Sequence, residues 1–460
     1  MTTVGLVRVT IVTPHRRMDM ALPERAPMAE LLPTLLRRAG ESLADDGVLT
    51  GGWVLRRADG TVIESSRALG AYQVHDGEVL YLVPRIEDWP ELEYDDLVDA
   101  IASGAGKTGR LWSPQQTRRA GLAVAAFAVL LAVVAILRAG PSWEDATWTA
   151  LTLAALLLGA GTLLARAFGD AAAGAVLAAL AMVPAACGGA LALGGSAQLS
   201  EFSTPHALTG CAALLLTAIL GYVAVADGAA VFVGAATFGA LGGLWALLEV
   251  IGWVSTVESA ALLGAAVLIF SPLIGPLAIR MGRLPMPVLP KTSADLVRDD
   301  PQPPRSAVYA AVLRSDGLLT GMIWGSCLVA AGCQIWLAVD ASTSAIILLF
   351  LLTIGFLIRA RLYPAIRQRV PIMIAGLAGA AGAALIPLMA DESRLLTVAV
   401  PLMLLAAAVA MTLGMTYSRK PPGAYVGRYA ELLEVMIVLF AVPVACSVLG
   451  LFGWVRGLGG

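Results

Sequence analysis

From Ala120 to the C-terminus, long apolar stretches alternate with short polar ones, whereas residues 1–119 carry the mixed pattern of a soluble domain. A helix that crosses a bilayer needs about 20 mostly apolar residues. The stretches that meet this length are Ala120–Leu137, Ala146–Ala165, Ala171–Leu193, Leu208–Ala226, Ala229–Val250 and Ser259–Ile279. After a polar loop they resume as Leu318–Val339, Ser342–Ile358, Pro371–Ala390, Leu395–Tyr417 and Leu432–Val455. The pattern therefore predicts a polytopic α-helical membrane domain over 120–460, with about eleven transmembrane helices. Its one long loop is expected at 280–317.

The period changes before Ala120. Val7, Val9 and Ile11 alternate with Arg8, Thr10 and Val12, which predicts a strand over Thr3–Val12. Met18, Met20 and Leu22 predict a second strand. Met28, Leu31, Leu32, Leu35 and Leu36 fall at helical spacing, with Pro33 expected to kink the helix and Gly40 placed as its C-terminal cap. Trp53–Arg57, a turn at Asp59-Gly60, Thr61–Ile63, a turn at Asp76-Gly77 and Glu78–Val83 complete the pattern. Strand, strand, helix, strand, short strand, strand is the ubiquitin-like β-grasp order, an α+β fold, over residues 1–85. Residues 86–119 read as a linker, acidic at Glu87, Asp88, Glu91, Glu93, Asp95 and Asp96 and basic toward Arg118-Arg119. It is either a solvated connector or a docking strip for a partner.

Composition sharpens the division. The 460 residues are 58% hydrophobic and 14% charged, well below the roughly one quarter of soluble domains. A net charge of −2 provides no field for nucleic acid. Cys187, Cys211, Cys327, Cys333 and Cys446 all fall in apolar stretches, without metal or disulfide spacing, and read as small hydrophobes. No apolar core of a secretory signal precedes Arg119, so the N-terminal domain is expected in the cytosol of a cell with the chain in its inner membrane. Arg166; Arg280, Arg283, Lys291, Arg298, Arg305 and Arg314; Arg359, Arg361, Arg367 and Arg369; and Arg419, Lys420 and Arg428 then lie inside. Only Arg138, Arg394 and Arg456 lie outside. That bias fits the positive-inside rule, and an odd span count places the C-terminus in the periplasm.

Candidate chemistry is sparse. Asp227, Glu249, Glu258, Glu431 and Glu434 sit at span ends, so no mid-span ionisable group marks an ion pathway. Gly104-Ala105-Gly106-Lys107-Thr108 looks like the end of a phosphate loop, but Ile101 occupies the place of its first glycine. His15, His75 and His206 are too few and too scattered for a catalytic cluster. The final Gly459-Gly460 follows a membrane helix and reads as a decoy of a conjugation tail. Prolines 184, 272, 276, 387, 401 and 443 could kink spans. Gly239 with Gly243, and Ala375 with Gly379 and Gly382, allow close helix approach, within the chain or between copies. The basic loops around Arg283 and from Arg359 and Arg361 to Arg367 and Arg369, with Arg428, are expected to fix topology. They are also expected to lie where cytosolic partners and anionic headgroups reach them. No catalytic, cofactor-binding or metal residue is expected. Bound phospholipids are the only non-protein group the reading admits.

The order of domains with the span count resembles the EccD family of the mycobacterial type VII (ESX) secretion system. Arg283-Leu284-Pro285-Met286-Pro287, Arg359-Ala360-Arg361 with Arg367-Gln368-Arg369, and Arg428 with Glu431, Glu434, Pro443 and Val455-Arg456-Gly457-Leu458 are similar to its basic loops and last helix. The resemblance implies a non-catalytic scaffold of the export machine. It implies a second EccD copy enclosing a lipid-filled space, and contacts with EccB, EccE and the ATPase EccC, which supplies the energy. The alternatives are a small-molecule permease with a regulatory β-grasp domain and an integral-membrane enzyme.

Overall fold

A computed structural model describes residues 5–13, 16–24, 26–39, 52–72, 74–84, 112–225, 227–285, 304–389, 395–419 and 423–458. His15, the expected cap at Gly40, most of the linker with its phosphate-loop look-alike, and Gly459-Gly460 lie outside these residues. The chain divides into two compact units, Met1–Trp112 and Ser113–Gly460.

In the first unit, strand β1 (Leu6–Val12) pairs antiparallel with β2 (Arg17–Pro23) and parallel with β5 (Glu78–Pro84). Helix α1 (Met28–Ala39) lies between β2 and β3 (Trp53–Arg57), and β4 (Val62–Ile63) follows. The sheet order is β2-β1-β5-β3-β4. Parallel first and last strands at the centre of an otherwise antiparallel sheet require a crossover, which α1 supplies. This is the expected β-grasp. The alternation fixes the register: Val9 stands opposite Met20 and Leu55 opposite Leu82. Ile11, Leu55 and Leu80 form the core with Met28 and Leu35 of α1. The helix continues through Pro33 to Ala39. Gly60 and Gly77, at φ +91° and +85°, make the two turns in a conformation that side chains disfavour. Arg57 Nε donates to Glu78 Oε1 at 2.5 Å, and the His75 amide donates to Glu78 Oε2 at 3.0 Å. Those two bonds stabilise the anion and hold Glu78 below the usual carboxylate range.

The second unit is helical. Its elements are α2 (Pro114–Arg138), α3 (Glu144–Arg166), α4 (Ala171–Leu191), α5 (Thr204–Ala224) and α6 (Ala229–Val250). Next come α7 (Thr256–Phe270), α8 (Ile274–Met281), α9 (Arg305–Asp340) and α10 (Thr343–Arg359). The last are α11 (Ile366–Met389), α12 (Val400–Arg419), α13 (Ala424–Val448) and α14 (Leu451–Leu458). Starts follow local chemistry. Ser113 and Gln116 form a capping box ahead of Pro114, Asp170 accepts from the Ala173 amide, and Ser255 with Glu258 cap α7. Glu258 is thus occupied as a cap.

Among the described residues, ten helices are long and apolar enough to cross a membrane, with α7 and α8 counted as one. The expectation was about eleven. The eleventh position, Pro371–Ala390, is filled by α11, which has no charged residue from Val370 to Met389. Four boundaries differ from expectation by about six residues or more, beginning with the starts of the first span, at Pro114 instead of Ala120, and of the last, at Ala424 instead of Leu432. Arg305–Gly317, read as part of a loop, is the first stretch of α9. The last span ends at Val448, where Gly450 turns the chain at φ +69° into α14.

Hydrogen bonds between helix ends show that successive helices alternate in direction. On one face Arg118 pairs with Asp170, and Arg166 donates to the Val223 and Ala224 carbonyls at 2.9 Å each. On the other, Glu249 accepts from Thr204 and Thr256 at 2.6 and 2.8 Å, Trp143 Nε1 donates to the Ala197 carbonyl, and Ser344 meets Ser447. The first face bears the arginine-rich loops and is called the basic face below. At the centre stands α9, whose apolar stretch is 61% buried, against 6% for the span that includes α12. Close helix approach is carried by glycine: a Cβ on Gly161 would lie 2.7 Å from the Gly174 carbonyl, and one on Gly174 2.6 Å from that of Gly161. Gly239 approaches Cys211 and Leu215 of α5, and Gly379 and Gly382 approach α9, so both small-residue stripes pack within the chain.

Candidate functional site

The site begins with a proline. Pro272 has no amide to donate to the Leu268 carbonyl four residues earlier, so the sixth span cannot continue as a regular helix. It passes through a 3₁₀ turn at Ser271–Leu273 before α8 resumes. Two side chains replace the missing donor. Ser271 Oγ donates to the Leu268 carbonyl at 3.0 Å, and Arg359 Nη1 reaches the same oxygen at 2.5 Å. Arg359 also donates to Ser271 Oγ.

Arg359 ends α10 and is only 4% exposed. A guanidinium without a counter-charge is costly at such a position. Glu434 of α13 provides the charge: its Oε1 accepts from Arg359 Nε at 2.9 Å and from Nη2 at 2.6 Å. Its Oε2 takes a longer contact, 3.4 Å, from Arg361 Nη2, and Arg361 Nη1 donates to the Gly427 carbonyl at 3.1 Å. One carboxylate thus joins two arginines, and the cluster ties the break between α7 and α8 to α10 and α13. Beside it, Asp316 of α9 pairs with Arg367 at 2.5 Å and accepts from Gln368 Nε2 at 2.9 Å. Both ties lie at the basic face.

The six arginines expected to meet partners or headgroups therefore divide. Arg359 is a correction: it is inside the protein, and its donors serve Glu434, Ser271 and the break in the sixth span. Arg361, partly open, and Arg367, exposed, both bind neighbouring helices. Arg283, Arg369 and Arg428 are exposed and form no ion pair among the described residues. Arg283 also adopts φ +53°, unusual for a residue with a side chain. Arg428 and Glu431 line a shallow surface hollow with Leu432 and Val435.

Sequence reasoning placed Glu434 at a span end, but it lies well inside α13 with its side chain 14% exposed. The available signal was its position inside the apolar run Leu432–Val435, where an isolated carboxylate would be expensive. A second buried group, Gln334 of α9, was passed over. It donates to the Ala330 and Ala375 carbonyls at 3.2 and 3.0 Å and accepts from Thr353 at 3.3 Å, joining α9, α10 and α11. Among the described residues no group of three or more His, Cys, Asp or Glu is placed to hold a metal. The charged and amide groups of these clusters are bonded to one another and to backbone carbonyls of neighbouring helices, an arrangement that positions helices.

The family described as EccD-like transmembrane domain matches residues 117–458. The family described as WXG100 protein secretion system (Wss), protein YukD, matches residues 6–82. The ESX-4 secretion system proteins eccD4 of Mycobacterium tuberculosis strains CDC 1551 and H37Rv are each 27% identical over 252 residues, 51% of this chain and 53% of theirs. The chain thus spans about half the length of the curated relatives it matches. Among solved structures, protomer 1 of the ESX-3 core complex superposes with a TM-score of 0.60 at 20% identity, covering 98% of this chain and 100% of that one. A chain of the MycP5-free ESX-5 inner membrane complex gives 0.60 at 21%, covering 89% and 99%. At these identities the superpositions establish a shared fold.

Proposed function

Because the chain belongs to the EccD family, we propose that it is a non-catalytic scaffold subunit of a type VII secretion machine in the inner membrane. The observation that carries this reading is the match of both units, the YukD-like domain at 6–82 and the EccD-like membrane domain at 117–458, in one chain. The geometry supports it: the charged clusters brace helices against each other. Its partners are a second copy of this chain, EccB, EccE and the ATPase EccC, with phospholipids around them. The N-terminus is cytosolic and the C-terminus periplasmic, since the arginine-rich face belongs on the cytosolic side.

The test is purification of the tagged chain from its native membrane in mild detergent, followed by mass spectrometry. Stoichiometric recovery of an FtsK/SpoIIIE-type ATPase with other membrane subunits is the expected outcome. Reproducible recovery of a lone homo-oligomer would overturn the reading and turn attention to small-molecule transport.

A further inference from the structure

Between α5, α6, α7, α8 and α9 lies a half-open crevice of about 650 Å³. That is within the range of about 300–1,000 Å³ common for ligand sites. Its wall is almost wholly carbon, including Phe232, Ala236, Ala240, Leu263, Val267 and Met322. Of the four hydroxyls that line it, those of Thr237, Ser326 and Ser271 are already used within the helices, which leaves that of Tyr222. Thr237 donates to the Val233 carbonyl at 2.8 Å, Ser326 to that of Met322 at 2.7 Å, and Ser271 to that of Leu268. Such a wall recognises hydrocarbon and gives a polar solute little beyond the Tyr222 hydroxyl to exchange for its water.

The crevice runs from the basic side of these helices to past their middle, and its basic end has a different character. Leu277 and Met281 of α8 line it, and Arg280 lies beside them on the same helix. Leu318 and Met322 of α9 line it, and Arg314 precedes them at the same four-residue spacing. Ser315 lies so close to Gly282 that a Cβ on that glycine would overlap it, so the chain just after α8 packs on α9 next to Arg314, and Arg280 stands two residues before the contact. Both are exposed, and neither forms an ion pair among the described residues. Asp316, next to Arg314, is held by Arg367 and Gln368.

We propose that this crevice binds one anionic glycerophospholipid, an acyl chain along its apolar wall and the phosphate at Arg280 and Arg314. The lipid comes from the leaflet on the basic face. The hydrocarbon wall and the cationic end are independent observations, and together they specify an amphiphile with a negative head. The site lies within one copy of the chain and does not depend on the secretion role.

The test uses the full chain, delipidated in detergent and followed by native mass spectrometry during titration with dioleoyl phosphatidylglycerol or dioleoyl phosphatidylcholine. One phosphatidylglycerol per chain should be retained where phosphatidylcholine is lost. Two cations near a lipid headgroup contribute enough that R280Q/R314Q should weaken phosphatidylglycerol binding about tenfold or more and phosphatidylcholine less, because phosphatidylcholine shares the phosphate but has no net charge. A240W, which fills the crevice, should weaken both lipids. R369Q removes an exposed cation of the basic face away from the crevice and should change neither. Equal retention of the two lipids, or unchanged phosphatidylglycerol binding by R280Q/R314Q, overturns the proposal. So does an R369Q loss as large as that of the double variant, which would signify diffuse surface charge. Because Arg280 and Arg314 are exposed, their variants keep the test decisive even where A240W fails to fold.

Discussion

Replacing Glu434 by glutamine keeps an acceptor near Arg359 but removes the charge that its Nε and Nη2 both address. Loss of one partner from a buried pair costs about 3–5 kcal/mol, because the other charge is left uncompensated. E434Q should therefore lower the thermal midpoint of the purified chain sharply. The double change R359M/E434L should be less damaging than the sum of its two single changes, though not neutral, since Leu268 would keep only Ser271 as donor. Strict additivity would mean that the two side chains do not stabilise each other. The Arg57 and Glu78 pair of the β-grasp domain is more open and is best read through pH. Glu78 titrates below its ordinary value when folded. Its contribution to stability is therefore present above the unfolded carboxylate range of about 4.3 and is lost as pH falls through the lower folded value. The urea midpoint of a fragment spanning residues 1–85, whose core is its own, should drop in that acid window. E78Q should make the drop shallower but not abolish it, since Asp59 is also held low, chiefly by the Thr61 amide. An unchanged acid profile in E78Q would remove the pair from the account.

Helices and strands were legible where one solvent decided them. Runs of apolar residues have one reading in hydrocarbon, where every backbone group must bond internally. Alternation such as Val7, Val9 and Ile11 has one reading on a half-buried sheet. Reading failed where an element changed surroundings along its length. The first part of α9 carries Arg305, Arg314 and Asp316 and looked like a loop, yet it buries Ala311 and Ser315 against its neighbours. The site was less legible than the fold because its partners are distant: Arg359 and Glu434 meet across 75 residues, and no local period announces such a pair. The same holds for α11, whose glycine stripe indicated close packing but not its partner. A methyl group on Gly379 would overlap both Gln334 Oε1 and Thr353 Oγ1, whereas one on Gly382 would meet Ala338 Cβ at 3.1 Å and one on Gly414 nothing within 4 Å. Overpacking typically costs about 1–3 kcal/mol. Thermal unfolding should therefore rank G379A as clearly destabilised, G382A as mildly so and G414A near the parent. Equal midpoints for G379A and G414A would show that α11 does not pack on Gln334 as described.

At the scale of the whole membrane unit, the two faces differ in charge, and the difference is tied to the fold. The basic face gathers Arg118, Arg166, Arg280, Arg314, Arg361, Arg367 and Arg369. The opposite face shows Arg138 among Glu144, Asp145, Glu201, Glu249, Glu258 and Asp340. Hydrogen bonds between helix ends fix which residues share a face, so a single orientation follows for all of them at once. Arginine is retained on the side from which spans are inserted, and the anionic cytosolic leaflet then favours it there. Orientation can be read chemically in a variant in which all five cysteines are replaced by alanine. Ser200, exposed between α4 and α5, represents the acidic face. Tyr425, exposed at the start of α13 beside the Gly427 carbonyl that binds Arg361, represents the basic face. A membrane-impermeant maleimide should label S200C in cells with a permeable outer envelope and an intact inner membrane. It should label Y425C only after the inner membrane is opened. The reverse pattern would place the arginines outside and overturn the proposed topology. Labelling of both positions in intact membranes would contradict the pairing of helix ends, because these residues would then share a face.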